Sequence, residues 1–181
     1  MSSQSKQAGI SLLEVVVSIP ILVIGILALL TAASNALTTV RLTQEDLIAK
    51  QKAREALESV YTARSTQQIT FAMIQNVGGG GIFLDGPQVV ADPGADGLVN
   101  TADDGAVERM FLPGPDGNLG TADDVVFPLS NYSREIQISN IVNADGTVNP
   151  DLRQIDVIMS YRLPNGAQRR YSIRTYVSRY S

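Results

Sequence analysis

The sequence predicts an α+β protein. One long N-terminal helix, apolar in its first half and amphipathic in its second, packs against a small antiparallel C-terminal sheet with Gly/Asp-rich loops. Three observations predict this. No charged residue occurs from Val15 to Val40. No Gly or Pro interrupts the chain between Ile26 and Phe71. From Asn131 onward, apolar and polar residues alternate at strand spacing.

Composition sets the limits first. The 181 residues include no Cys, His or Trp. Disulfides and thiol chemistry are excluded, so stability outside a reducing compartment must come from packing or a metal. Without His, the commonest general base and zinc ligand are missing. The net charge is −4, which disfavours nonspecific nucleic-acid binding. It is unevenly spread. Nine acids and one base, Arg109, lie between Asp85 and Asp124; six Arg and one acid, Asp156, lie from Leu152 onward.

The helix comes first. The stretch "GISLLEVVVSIPILVIGILALL" at Gly9–Leu30 is long and apolar enough for a membrane span, with Glu14 at its edge. A carboxylate in lipid is expensive and normally has a partner or a function. Pro20 removes the amide that would bond back to Val16, and Gly25 adds a second weak point, so a kink or unwound stretch is expected over Val16–Gly25. Beyond Val40, Leu42, Ile48, Leu57, Val60 and Tyr61, with Ala49, Ala53 and Ala56 between them, form a narrow apolar stripe. Asp46 and Lys50 stand in the favourable order for a helical ion pair. Fifty-odd helical residues would span roughly 75–80 Å, far more than a bilayer's thickness.

An ordinary secretory signal is a rival, with "LLTAAS" at Leu29–Ser34 as its cut site. Against it stand a barely basic n-region, the acid at the mouth of the apolar core and a helical pattern that continues past Ser34. The stretch "G-ISLLE" before the apolar run resembles the class III signal of type IV pilins and of the pseudopilins of type II secretion, most closely the minor pilins. The resemblance covers about residues 8–64. It implies that a prepilin peptidase cuts between Gly9 and Ile10 and methylates the new N-terminus at Ile10. It implies that Glu14, then the fifth residue, neutralises the Ile10 ammonium of a neighbouring subunit. Such a pair in an apolar medium fixes register, because a misplaced subunit leaves two unpaired charges. Ile10 replaces the family's usual Phe, and Pro20 lies earlier than the family's usual helix-breaking Pro, whose region here holds Thr31. The implied partners are the peptidase, other pilin or pseudopilin subunits and the inner membrane, which a single pass crosses before assembly into an extracellular or periplasmic filament.

The middle of the chain is duplicated. "PGADGLVNTADD" at Pro93–Asp104 and "PGPDGNLGTADD" at Pro113–Asp124 match at Pro, Gly, Asp, Gly, Thr, Ala, Asp and Asp, twenty residues apart. Asp-Gly favours a tight turn, and clustered oxygen ligands on a Gly-rich loop suit Ca²⁺. The expected sites are Asp96, Asp103 and Asp104, with Asp92 as an added ligand, and Asp116, Asp123 and Asp124. The spacing is not that of an EF-hand, since no Glu closes the loop. It is similar to "DG-x-x-G-T-x-D-D" segments of other bacterial surface proteins, often thought to bind calcium. A pair of solvated Asp-Gly turns is the plainer alternative. "NADGTVNPD" at Asn143–Asp151 reads as a hairpin turn.

Three strands are expected last. "YSREIQISNIV" alternates at Ile136, Ile138 and Ile141. "RQIDVIMSYRL" does so at Ile155, Val157, Met159 and Tyr161, and "QRRYSIRTYVSRY" at Tyr171, Ile173, Thr175 and Val177. "PNG" at Pro164–Gly166 makes the last two a hairpin, with the Arg residues on its solvated face or as a docking patch. The expected organisation is a leader at 1–9, a membrane and assembly helix at 10–40, an amphipathic helix at 41–77, a Gly/Asp-rich loop region at 78–130 hinged at Gly78–Gly81, and the sheet at 131–181. The function expected is a structural filament subunit whose head is stabilised by calcium. The alternative is a membrane-anchored calcium-binding surface or adhesion protein that does not polymerise. Enzymatic activity is not expected, because the paired carboxylates at Asp103–Asp104 and Asp123–Asp124 have no aromatic cleft around them.

Overall fold

The computed structural model describes residues 12–163 and 166–180. Its elements are one helix, α1 (Leu12–Ser65), and six strands: β1 (Gln88–Val89), β2 (Arg109–Leu112), β3 (Val125–Pro128), β4 (Tyr132–Val142), β5 (Val148–Arg162) and β6 (Gln168–Ser178). Single 3₁₀ turns occur at Phe71–Met73 and Val77–Gly79. The predicted α+β class is the class observed.

The chain divides into two units, residues 1–44 and 45–181. The first contains the apolar part of α1. Its large apolar side chains, from Leu12 to Val40, are exposed on every side of the helix. The helix runs unbroken through Pro20 and Gly25, so of the kink or unwound stretch expected over Val16–Gly25 the unwinding is not seen. Hydroxyls of Thr31, Thr38 and Thr39 bond back to carbonyls four residues earlier, and so bring no unpaired hydroxyl into this surface.

The second unit is a head in which the remainder of α1 lies on a four-stranded antiparallel sheet of order β1-β4-β5-β6. The helix faces the sheet mainly with small residues. Ala49, Ala53, Ala56 and Ala63 are buried, together with Leu57 and Val60. Of the expected stripe, Ala49, Ala53, Ala56, Leu57 and Val60 are buried and Leu42 is half-buried. Ile48 is half-buried, and Tyr61 is exposed, with its hydroxyl beside Thr175 Oγ1 at 2.6 Å. The sheet supplies bulk in return: Ile155, Val157, Met159 and Tyr161 of β5, and Ile136 of β4, are all buried. These are the alternating positions predicted for the strands. On β6 only Val177 is fully buried, with Tyr171, Ile173 and Thr175 half-buried.

The helix ends at Ser65, so the helix expected to reach residue 77 stops a turn after Tyr61. Ile69, Phe71 and Ile74 leave the helical course and are buried in the head instead. The segment is fixed by Asn76. Its side-chain amide donates to the Ile136 carbonyl (2.7 Å), and its oxygen accepts from the Ile138 amide (2.8 Å). It thus occupies a stretch of β4 edge that β1, which pairs only with Ser133 and Arg134, does not reach. Gly78–Gly81, expected as a hinge, is a closed turn. A Cβ at Gly81 would stand 2.1 Å from the Gln75 carbonyl oxygen.

Polar contacts lock the helix to the sheet. Tyr132 and Tyr161 are cross-strand partners with stacked rings 5.4 Å apart. Their hydroxyls donate to Glu45 and Asp46. Burial and these carboxylates raise both phenols, that of Tyr161 to about 12. Asp46 also meets Arg169 at 3.3 Å, so the expected Asp46–Lys50 ion pair is replaced by contacts to the sheet. Lys52, 5% exposed, bonds Glu55 at 2.6 Å and Glu108. Burial opposes its charge, but the two carboxylates prevail and its pKa is raised.

Ile155→Ala should destabilise the head by about 2–5 kcal/mol, since alanine already faces the cavity from the helix and cannot fill it. Denaturant unfolding of the detergent-solubilised protein, followed by near-UV circular dichroism, measures this.

Candidate functional site

Two regions hold the residues to which the sequence assigns function. At the N-terminus, Gly9 and Ile10 lie outside the described residues. Glu14 is in the first turn of α1 and exposed. It is the only charged side chain between Leu12 and Val40. Among the described residues, α1 is the one helix long and apolar enough to cross a membrane, and none of its apolar window is covered by the rest of the protein.

The second region is the duplicated loop, and the repeat in sequence is a repeat in structure. Each copy is a twelve-residue loop closed by antiparallel backbone pairing. The second copy connects β2 to β3, with Leu112 opposite Val125. The first is closed by the Asp92 amide on the Ala106 carbonyl (2.9 Å) and the Gly105 amide on the Asp92 carbonyl (2.8 Å). These short pairings inside 78–130 were not predicted. Residues such as Val107 and Val125–Phe127 form runs too short to distinguish from loop.

Inside the loops the main carboxylate hydrogen bonds recur at equivalent positions. The Asp96 and Asp116 carboxylates accept from the amides two residues on, Leu98 and Asn118, both at 2.8 Å. Asp103 and Asp123 accept from the amides of Asp96 and Asp116, both at 3.2 Å, and from the hydroxyls of Thr101 (2.8 Å) and Thr121 (2.6 Å). Asp104 and Asp124 accept from the amides of Asn100 (2.8 Å) and Gly120 (2.7 Å). Those last two residues share a left-handed conformation, φ +61° and +89°. Asn is the non-glycine residue that best tolerates it. Gly94 and Gly114 are required as well: a Cβ there would come within 2.3 Å of the Asp103 side chain and 2.2 Å of the Asp123 carbonyl oxygen.

Six of the seven acids predicted to bind calcium are therefore the acceptors that close these turns. The seventh, Asp92, joins the first loop through its backbone. The structure gathers the acids loop by loop, as the sequence predicts. Among the described residues, however, no three acidic side chains converge as a metal-holding group.

The copies differ in environment. In the first, Leu98, Val99, Asn100 and Thr101 are buried in the head. Asn100 bridges to β4: its amide donates to the Arg134 carbonyl (2.8 Å), and its oxygen accepts from Arg134 Nε (2.7 Å). Arg134 is wholly buried, and among the described residues its two terminal nitrogens have no hydrogen-bond partner. Burial lowers its pKa against the opposing pull of Asp104, Glu55 and Glu108. Its signal in the sequence is register: Arg134 stands between Tyr132 and Ile136 on the apolar side of the β4 alternation, opposite Met159. In the second copy the equivalents of Leu98 and Val99 are Asn118 and Leu119, and residues 116–124 are almost entirely exposed.

Comparison with protein-family models, curated proteins and solved structures finds no match.

Asn100→Ala should cost about 3 kcal/mol or more, since it adds an unpaired buried guanidinium nitrogen to a left-handed strain. Gly120→Ala, the same position in the exposed copy, should cost only about 1–2 kcal/mol. Equal costs in denaturant unfolding would contradict the division of roles. The Thr hydroxyls and the facing amides hold the Asp103 and Asp123 carboxyls below the usual carboxylate range. Their contribution to stability is present above the unfolded pKa of about 3.9 and lost as pH falls through the depressed folded value. Carboxyl ¹³C titration should place both midpoints below 3.9.

Proposed function

We propose that this protein is a structural subunit of a type IV pilus or pseudopilus-like filament. It enters the inner membrane through α1, is cut between Gly9 and Ile10 and methylated at Ile10, and polymerises through that helix. One observation carries the reading. The apolar first half of α1, whose large side chains are exposed on all sides, holds a single carboxylate, Glu14, in its first turn, four residues after the Ile10 of a Gly-Ile junction. Such a surface needs lipid or other copies of the same helix around it. A buried acid needs a cation, and the freed ammonium of a neighbouring Ile10 provides one at the correct depth.

The head then serves as the outward part of the subunit. Its stability comes from the alanine-faced helix and the polar locks to the sheet. Calcium binding by the loops is a separate expectation, supported by the composition of the repeat and not by the placement of its carboxylates. An EGTA-sensitive rise in melting temperature at millimolar calcium would establish it; no rise would leave the loops as self-closed turns.

The mature chain should begin at Ile10, with an N-methyl group, when membrane or sheared-filament material is analysed by mass spectrometry. An intact Met1, or a start near Ser34, refutes the proposal and leaves a tethered surface protein. Glu14→Ala should leave membrane insertion unchanged and reduce incorporation into filaments by tenfold or more, the factor for about 1.4 kcal/mol of lost pairing. Normal incorporation would reduce α1 to an anchor.

A further inference from the structure

The arm made by β2, β3 and the second acidic loop is built to be covered. Phe111, Leu112, Leu119, Val125 and Val126 are each 46–64% exposed. β2 reads Arg-Met-Phe-Leu and β3 Val-Val-Phe-Pro, apolar at adjacent positions, so both faces of the ribbon are apolar. Such runs belong to strands packed on both sides, and a two-stranded ribbon alone in water is marginal. Its tip holds Asp116, Asp123 and Asp124, whose carboxylates, among the described residues, bond only within their own loop. An acidic tip is repelled by an anionic lipid surface and attracted by a basic protein surface.

This chain has such a surface. Residues opposite one another in an antiparallel ladder share a face. Arg162 stands opposite Gln168, and Arg170 opposite Ser160, so all four lie on the outer face of the β5–β6 hairpin, away from α1. The other Arg residues of the C-terminal region are engaged: Arg169 with Asp46, Arg174 with Asp156, Arg179 with Asp151, and Arg153 with the Phe71 and Ile74 carbonyls. Among the described residues Arg162 and Arg170 have no acidic partner, and both are exposed. A shallow groove of about 380 Å³ runs beside Arg162 and Gln168 at that end of the sheet.

We propose that the β2–β3 arm of one copy docks on the outer face of the β5–β6 hairpin of a second copy, with the acidic tip meeting Arg162 and Arg170. Two different patches of one chain then meet head to tail. Each added copy presents a fresh arm and a fresh face, the geometry that propagates an open filament instead of closing a dimer. The inference rests on the filament reading and adds to it a contact between heads.

The chain contains no Cys, so the test can introduce two. Full-length Leu119→Cys and Gln168→Cys proteins, expressed together in membranes, are treated with a short bismaleimide. A covalent dimer should form from the mixture and from neither protein alone. Adding Arg162→Glu and Arg170→Glu to the Gln168→Cys chain should lower the yield on the order of tenfold, the effect of reversing two surface charge pairs. A dimer from Leu119→Cys alone, no dimer from the mixture, or a yield unmoved by charge reversal overturns the proposal. N-terminal mass spectrometry of the same material separates the two readings. A chain cut at Gly9 but not cross-linked refutes only the docking; a cross-linked chain left uncut refutes only the leader-dependent filament.

Discussion

The head depends on the fit of α1 against the sheet, and on the helix side that contact is made largely of buried alanine. With Ala49, Ala53, Ala56 and Ala63 on the facing side, the helix backbone comes near enough for the branched and aromatic side chains of β5 to fill the gap. The surrounding polar contacts have a fixed reach and need that spacing. Tyr132 and Tyr161 extend from the strands to Glu45 and Asp46 on the helix, and Lys52 extends from the helix to Glu108 just before β2. Larger residues at the alanine positions would lift the helix and separate all three contacts together. Their charged members would then be left half-dehydrated without partners, a large penalty compared with the modest worth of any one pair.

The sequence reveals some of this structure plainly and conceals the rest for physical reasons. Long elements with one clear period are legible: α1 through its 54 residues, and β4, β5 and β6 through alternation at Ile136, Ile155–Tyr161 and Tyr171–Val177. The end of α1 is not, because residues 66–70 contain neither Gly nor Pro. What stops the helix is the burial of Ile69, Phe71 and Ile74 and the grip of Asn76 on β4, both of which depend on residues distant in sequence. Short strands such as β1 have no period to detect. The repeat is legible as a repeat, and Asp-Gly as a turn, but not the use of the carboxylates. Six acids with few bases nearby imply a cation by charge counting. Neighbouring amides and Thr hydroxyls also bond them, and those groups are invisible to a count of charges.

The two loops show how similar segments acquire different roles. The main carboxylate hydrogen bonds recur in both, down to the left-handed residue at Asn100 and Gly120. What separates them is one apolar residue, Leu98, where the second loop has Asn118; Val99 corresponds to Leu119, which is also apolar. Leu98 and Val99 carry the first loop into the core, where Asn100 then supports the buried Arg134. With Asn118 in place of Leu98, the second loop has no such anchor and stays on the surface. One copy became part of the framework, while the other kept its shape and remained free for outside contacts.

The grip of Asn76 on β4 has a protective side. A bare strand edge invites any passing strand to add to it, and a secreted or membrane-tethered chain meets many unfolded neighbours. Here a single amide side chain takes the donor and acceptor that an intruder would need at Ile136 and Ile138. A protein that already exposes an apolar helix thereby has this stretch of its β4 edge closed to amyloid-like strand addition.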